Sequence, residues 1–224
     1  MAVRAVIFDL DGTLFDSTGV WAMVDRAFLG KRGLSVPDDY ADAVSALGFY
    51  ETAVYTIRRF SLPDRPEALL DEWNRLAIQA YSTAVPLKPY AREYLQHLRT
   101  KGYRLAIATG APPALYKPAL QNHGLTGWFD VICSTAEVTR GKDFPDIFFH
   151  TAARLGVPPD ECLVFEDILP AIRSAKQAGM RVCGVYDEGS RDSWEAIRRT
   201  ADGVIADFRE APLWQDENIE LLLP

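Results

Sequence analysis

The chain is short of cysteine, of histidine and of positive charge. Its 224 residues include three cysteines and three histidines, and 24 lysines and arginines are set against 31 aspartates and glutamates, a formal net charge of −7. Cys133, Cys162 and Cys183 are odd in number, far apart and embedded in apolar runs such as Cys162-Leu163-Val164-Phe165. They read as buried free thiols of a reducing compartment rather than as a disulfide framework or a zinc site. The acidic balance argues against nucleic acid or an anionic membrane as the main partner, because either selects a basic patch. A small anionic substrate stays possible, since local charge and metal ions decide that. Long hydrophobic runs are missing too. No stretch approaches the roughly 18 apolar residues of a membrane helix. The first apolar stretch is short, interrupted by Arg4 and followed at once by acidic residues, which is no signal peptide. The expectation is a soluble, cytoplasmic protein, monomeric or weakly dimeric.

What the chain does have is 48% hydrophobic residues, ample for a core, and two carboxylates in the run Asp9-Leu10-Asp11-Gly12-Thr13 directly after Ala5-Val6-Ile7-Phe8. An apolar run that stops at a glycine reads as a short buried strand. Along a strand Asp9 and Asp11 would share a face, roughly 6–7 Å apart. Like charges at that spacing raise each other's pKa unless a cation or hydrogen bonds compensate. The ordinary alternative is an acidic turn, which Asp-Gly favours.

Residues 16–85 show helical periodicity and no convincing strand, with helices expected at 20–31, 38–47, 50–60 and 65–82. From Pro86 helix and strand alternate. Helices at 90–101, 114–123, 146–155, 170–178 and 193–199 each precede a short apolar strand, at 104–109, 131–133, 162–165, 181–185 and 204–206. That pattern predicts an α/β fold, a parallel sheet with helices on both faces. Residues 1–15 and 86–224 would form the sheet core, and residues 16–85 an inserted helical domain.

Ligands of open parallel sheets bind beyond the carboxyl ends of the strands, where strand order reverses. Polar residues stand at three such ends: Asp9 and Asp11, Thr109-Gly110, and Glu166-Asp167. If these strands are neighbours, four carboxylates, a hydroxyl and a glycine amide converge. So much negative charge requires a cation, and all-oxygen ligation suits Mg²⁺. Lys142, in Arg140-Gly141-Lys142-Asp143-Phe144-Pro145-Asp146, would offset a phosphate from the loop before a helix. Each residue also has a plain structural reading. Thr109 would satisfy backbone at a strand end, Lys142 would be solvated, and Glu166-Asp167 would flank the helix that Pro170 helps to start. Their order along the chain favours the functional reading.

These motifs resemble the haloacid dehalogenase (HAD) superfamily, in its β-phosphoglucomutase-like subfamily with a small helical cap inserted after the first motif. The resemblance covers nearly the whole chain, through Asp9-Leu10-Asp11-Gly12-Thr13, Thr109, Lys142 with Pro145-Asp146, and Glu166-Asp167 followed by Ala178-Gly179-Met180. It implies a Rossmann-like core with an α-helical cap. The implied activity is Mg²⁺-dependent hydrolysis of a small phosphomonoester, a sugar phosphate or similar metabolite, through an aspartyl-phosphate. By the same resemblance Asp9 is the nucleophile and Asp11 the general acid and base. Thr109 with the Gly110 amide holds the phosphate, and Lys142 clamps charge. Asp9, the Asp11 carbonyl, Glu166 and Asp167 hold Mg²⁺. For Asp11 to donate a proton near neutrality its pKa must rise above the usual ~3.9, which neighbouring carboxylates would favour.

Departures from the family pattern narrow the choice. The second aspartate, Asp11, is absent from the family's dehalogenases and phosphonate hydrolases, so cleavage of carbon–halogen and carbon–phosphorus bonds is disfavoured. A β-phosphoglucomutase-like phosphomutase is the closest alternative. Those enzymes resemble this chain in Glu166-Asp167 but carry a histidine where Trp21 stands, and an arginine in a cap loop that here reads Ser45-Ala46-Leu47-Gly48. Gly110 replaces a serine or asparagine, while Asp143, Ile168 and Ala171 replace proline, serine and glycine. Trp21 and Phe49 are candidates for substrate contact. Packing within the cap is nevertheless the expected role of most of the set Trp21, Val24, Phe49, Tyr50 and Tyr55, with Lys31, Arg58 and Arg59 solvated. An alternative of another class is a non-catalytic Mg²⁺- and phosphate-binding module, or a phospho-acceptor like a bacterial response regulator; such receivers lack a helical insertion.

Overall fold

Six short apolar runs lie side by side in the computed structural model, which describes residues 2–44, 47 and 49–213. They are β1 (Ala5–Phe8), β2 (Arg104–Thr109), β3 (Val131–Ser134), β4 (Cys162–Glu166), β5 (Arg181–Val185) and β6 (Gly203–Ile205). The sheet order is β3-β2-β1-β4-β5-β6 and every pairing is parallel. The chain moves outward from β1 to β3, then crosses back to lay β4 on the other side of β1. Strand order therefore reverses between β1 and β4, where a parallel sheet opens a crevice at its carboxyl edge.

Each of the first four residues of β1 is buried, so the strand has two apolar faces. Ala5 and Ile7 join Ala106, Ala108, Val131, Cys133, Cys162 and Val164 in one layer, closed by Ile147, Phe148, Ile172, Ala175 and Ile197. Those last side chains come from α7 (Asp146–Leu155), α8 (Leu169–Gln177) and α9 (Trp194–Thr200). On the opposite face the ring of Phe8 stacks on Phe165 with centroids 5.1 Å apart, and Tyr94 of α5 (Ala91–Thr100) meets both rings. Helix α6 (Pro113–Asn122) connects β2 to β3. Burying side chains on both faces of short strands explains why these strands read as unbroken apolar runs.

Residues Gly19–Ala84 form a second compact unit. It contains α1 (Val20–Gly30), α2 (Tyr40–Val44), α3 (Phe49–Phe60) and α4 (Pro66–Thr83). Helix α2 is shorter than the expected 38–47, and residues 45, 46 and 48 of the expected loop lie outside the described residues. The core of this unit is built from Val24, Phe28, Tyr40, Leu69, Trp73 and Ala77. One expectation is corrected here. Trp21, Phe49 and Tyr50 are exposed, at 45%, 42% and 48%, instead of filling the core. On α1 the buried residues Val20, Val24 and Phe28 recur every fourth position, and Trp21 falls one position off that stripe. Tyr55 is half-buried, with its hydroxyl 2.6 Å from an Arg59 nitrogen. Arg59 also pairs with Asp39 at 2.6 Å and Lys31 with Glu72 at 2.9 Å, while Arg58 is exposed. No helix among the described residues is long and apolar enough to cross a membrane.

Candidate active site

The strand ladder delivers the site residues. Phe8 is in register with Ile107 on one side and Phe165 on the other. Asp9, the next residue, donates its amide to the Phe165 carbonyl at 3.0 Å and so stays bound to β4. Glu166 ends β4 and Thr109 ends β2. The strand stops at Phe8, however, and residues 10–15 turn: the Phe15 amide bonds the Leu10 carbonyl at 2.7 Å and the Gly12 amide bonds the Phe15 carbonyl at 2.9 Å. Asp11 belongs to that turn, half-buried, so strand alternation does not govern its placement relative to Asp9.

Four ionisable groups meet at this edge. The Lys142 ammonium lies 2.6 Å from Asp9 Oδ1 and 2.5 Å from Glu166 Oε2. All three side chains are buried. Glu166 Oε1 accepts the amides of Asp167 and Ile168, each at 3.2 Å. Asp167 Oδ1 accepts the Thr13 hydroxyl at 3.0 Å. Gly12 makes room for this contact. Its φ is +78°, and a Cβ there would stand 2.8 Å from Asp167 Cγ, so both backbone conformation and space demand glycine.

Burial and mutual repulsion leave the carboxyls unwilling to ionise together. Burial pushes the Asp9 pKa up to about 7, Lys142 pulls against it, and Glu166 and Asp11 add to the rise. Burial, then Glu166 and Asp9, push Asp167 up to about 9. Burial alone would lower Lys142, but Asp9 and Glu166 outweigh it and hold the ammonium well above its ordinary value. Asp9, Glu166 and Asp167 each present an oxygen within 4.8 Å of the others. Three buried carboxylates with one ammonium carry an excess of negative charge that a hard divalent cation would remove, and an all-oxygen donor set is what Mg²⁺ takes. The residues present fit that ion.

Thr109 is fully buried and its hydroxyl accepts the Ala111 amide at 2.9 Å, fixing the turn after β2. Gly110 is exposed and a Cβ there would meet nothing within 4 Å, so space does not require glycine at that position. Trp21 and Phe49 lie in the helical unit with ring centroids 5.5 Å apart. Two contributors carry no role in the sequence reading. Thr13 steers Asp167, although it was quoted with the first motif. Arg140 makes two bonds to Asp146, at 3.0 and 2.6 Å, and so ties the segment bearing Lys142 to the first residue of α7. The charges flanking Lys142 were the available signal.

Residues 3–179 match the family model of the haloacid dehalogenase-like hydrolases. The chain belongs to that family. It is 32% identical over 185 residues to the bifunctional riboflavin kinase/FMN phosphatase of Arabidopsis thaliana, covering 80% of this chain but only 48% of that one. The chain thus spans about half the length of that relative. A Drosophila melanogaster protein assigned as a pseudouridine-5'-phosphatase is 30% identical over 191 residues, 83% of this chain and 82% of its own. Among solved structures, a Thermotoga maritima protein assigned as a β-phosphoglucomutase superposes with a TM-score of 0.81 at 25% identity, over 91% of this chain and 94% of that one. The chain carries a Rossmann-like parallel sheet and a second, helical unit.

Proposed function

We propose that this HAD-like hydrolase is a Mg²⁺-dependent phosphatase acting on a small phosphomonoester, a sugar phosphate or similar metabolite, through an aspartyl-phosphate on Asp9. The observation that carries the reading is the buried group of Asp9, Lys142, Glu166 and Asp167 at the point where strand order reverses. Asp9, whose ionised form Lys142 favours against burial, attacks phosphorus as the carboxylate; a P–O bond to Asp9 forms as the bond to the leaving oxygen breaks. Asp11 gives that oxygen a proton, then takes one from the water that attacks the phosphorus and frees Asp9. Thr109 and the Gly110 amide hold the phosphoryl oxygens. Asp9, the Asp11 carbonyl, Glu166 and Asp167 would hold the divalent ion, which, when bound, offsets charge on the phosphoryl group. Glu166 contributes in a second way, since its contact with Lys142 fixes the ammonium beside Asp9.

Leaving-group recognition is assigned to the helical unit, Gly19–Ala84, with Trp21 and Phe49 as its exposed candidates. The two relatives are named for FMN and pseudouridine-5'-phosphate, phosphomonoesters on a ribityl or ribose chain, which supports a sugar-like leaving group. Trp21, in the place of a mutase's histidine, supports hydrolysis over phosphoryl transfer within a sugar. The test is release of p-nitrophenol from p-nitrophenyl phosphate with and without Mg²⁺, followed by a panel of phosphorylated metabolites. Steady Mg²⁺-dependent release that vanishes in Asp9→Asn is expected. No release from any phosphomonoester would favour the non-catalytic module, and turnover of only a phosphoprotein would refute the substrate class.

A further inference from the structure

A second group of metal-ligating side chains lies outside the carboxylate site, on one side of the sheet. Cys133 of β3 is fully buried and in register with Ala108 of β2. Glu137 sits in the 3₁₀ turn that follows β3, Thr135–Glu137, and His150 on α7. A ligand atom from each of these three lies within 4.8 Å of the others. Glu137 is preorganised: its Oε1 accepts the Ser134 amide at 2.9 Å, which leaves Oε2 facing His150 Nε2 at 3.7 Å. That separation is close to the edge of a tetrahedron drawn with metal–ligand bonds of about 2.0–2.3 Å. Arg154, one turn beyond His150 on α7, now fills the space. Its Nη1 contacts Glu137 Oε2 at 2.8 Å, Cys133 Sγ at 3.4 Å and the Ile132 carbonyl at 3.1 Å.

We propose that Cys133, Glu137 and His150 form a binding site for a thiophilic divalent cation of the Zn²⁺ class, which enters by displacing the Arg154 guanidinium. The charge balance is even. A neutral thiol, one carboxylate and one guanidinium become a thiolate, one carboxylate and Zn²⁺, with the arginine turned to solvent. The Cys133 S–H bond breaks, an S–Zn bond forms, and one proton leaves to water. Arg154, His150 and Glu137 side chains are 43%, 37% and 38% exposed, so the arginine has somewhere to go and a water has access to the fourth position. Sulfur and imidazole ligands select Zn²⁺, whereas the all-oxygen site selects Mg²⁺. The set is hidden in the sequence because Cys133 finds its partners in a glutamate and a histidine instead of in another cysteine. Residues 138–145, which carry Lys142, run between Glu137 and His150, so a bound ion would pin that segment at both ends.

Co²⁺ titration of the full chain in excess Mg²⁺ tests the site apart from any catalytic assay. Binding at Cys133 gives a thiolate-to-cobalt charge-transfer band in the near ultraviolet, which an all-oxygen site cannot give. The band is expected in the unaltered protein, absent in Cys133→Ser, and shifted to at least roughly tenfold higher Co²⁺ in His150→Ala, with Zn²⁺ bleaching it. His150 is partly exposed, so its variant remains informative should Cys133→Ser not fold. Absence of the band, its survival in Cys133→Ser, or an unchanged midpoint in His150→Ala would overturn the proposal.

Discussion

Replacing Lys142 by methionine keeps most of the aliphatic stem and deletes the ammonium, which separates the charge effect from packing. In the metal-free protein this leaves Asp9 and Glu166 buried without the cation that lies 2.6 and 2.5 Å from them. Breaking a buried ion pair from one side costs about 3–5 kcal/mol. At about 2–4 °C per kcal/mol for a chain of this size, the melting temperature should fall by roughly 6–20 °C. The loss should also depend on pH with a definite sign. Without Lys142 the pull that opposes burial at Asp9 is gone and its folded pKa rises further, so near pH 5 Asp9 is protonated and neutral, and the cost shrinks. Near pH 8 Asp9 must either ionise in the interior or stay protonated against the solvent, and the cost is full. Urea unfolding of wild type and variant without metal, at those two pH values, measures this. A loss below ~1 kcal/mol, the range of an exposed ion pair, or one equal at both pH values, would refute the electrostatic account of the site.

Other expectations follow from the same contacts. In metal-free wild type, Asp9 and Asp167 have folded pKa values of about 7 and about 9, above their unfolded values. Their stabilisation is therefore complete below about pH 4 and is lost as pH rises toward those folded values; Mg²⁺ at about 100 times its Kd should restore about 2.7 kcal/mol. Urea midpoints against pH with and without Mg²⁺ check both statements, and a midpoint rising with pH through that window without metal would contradict them. Gly12→Ala forces a positive φ on alanine and drives its Cβ into Asp167; a destabilisation of about 1–3 kcal/mol and a higher Mg²⁺ requirement for activity are expected. Asp187 is buried, 2.6 Å from Lys88 Nζ, and also accepts Thr18 Oγ1 and the Gly189 amide. Burial alone would raise its pKa, but those bonds hold it below the usual value. Its contribution is present above about pH 3.9, the unfolded value, and disappears as pH falls through the folded one. Asp187→Asn should lower stability by about 3 kcal/mol at neutral pH and flatten that acid limb of the urea-midpoint curve.

Much of the sheet was legible because its strands are short, apolar on both faces and separated by helices; β2, α7 and β5 begin and end where periodicity puts them. Loops and half-exposed helices were harder. The exposure of Trp21 depends on one position of helical phase, which composition does not carry. The turn at residues 10–15 broke an alternation that the letters alone allowed to continue. Within the site, charge chemistry singled out Asp9, Lys142, Glu166 and Asp167, whereas Thr13 and Arg140 act through distances that only the folded chain supplies.

As the nucleophile, Asp9 becomes phosphorylated during turnover. Borohydride reduction of the enzyme during turnover, followed by peptide mass spectrometry, reads this directly, since an acyl phosphate at Asp9 is reduced to homoserine. Homoserine at position 9 is predicted when substrate and Mg²⁺ are both present, and it should form more slowly in Asp11→Asn, where departure of the leaving oxygen is slowed. Continued turnover with residue 9 unmodified under trapping, or substrate-dependent reduction at another carboxylate, would contradict the account.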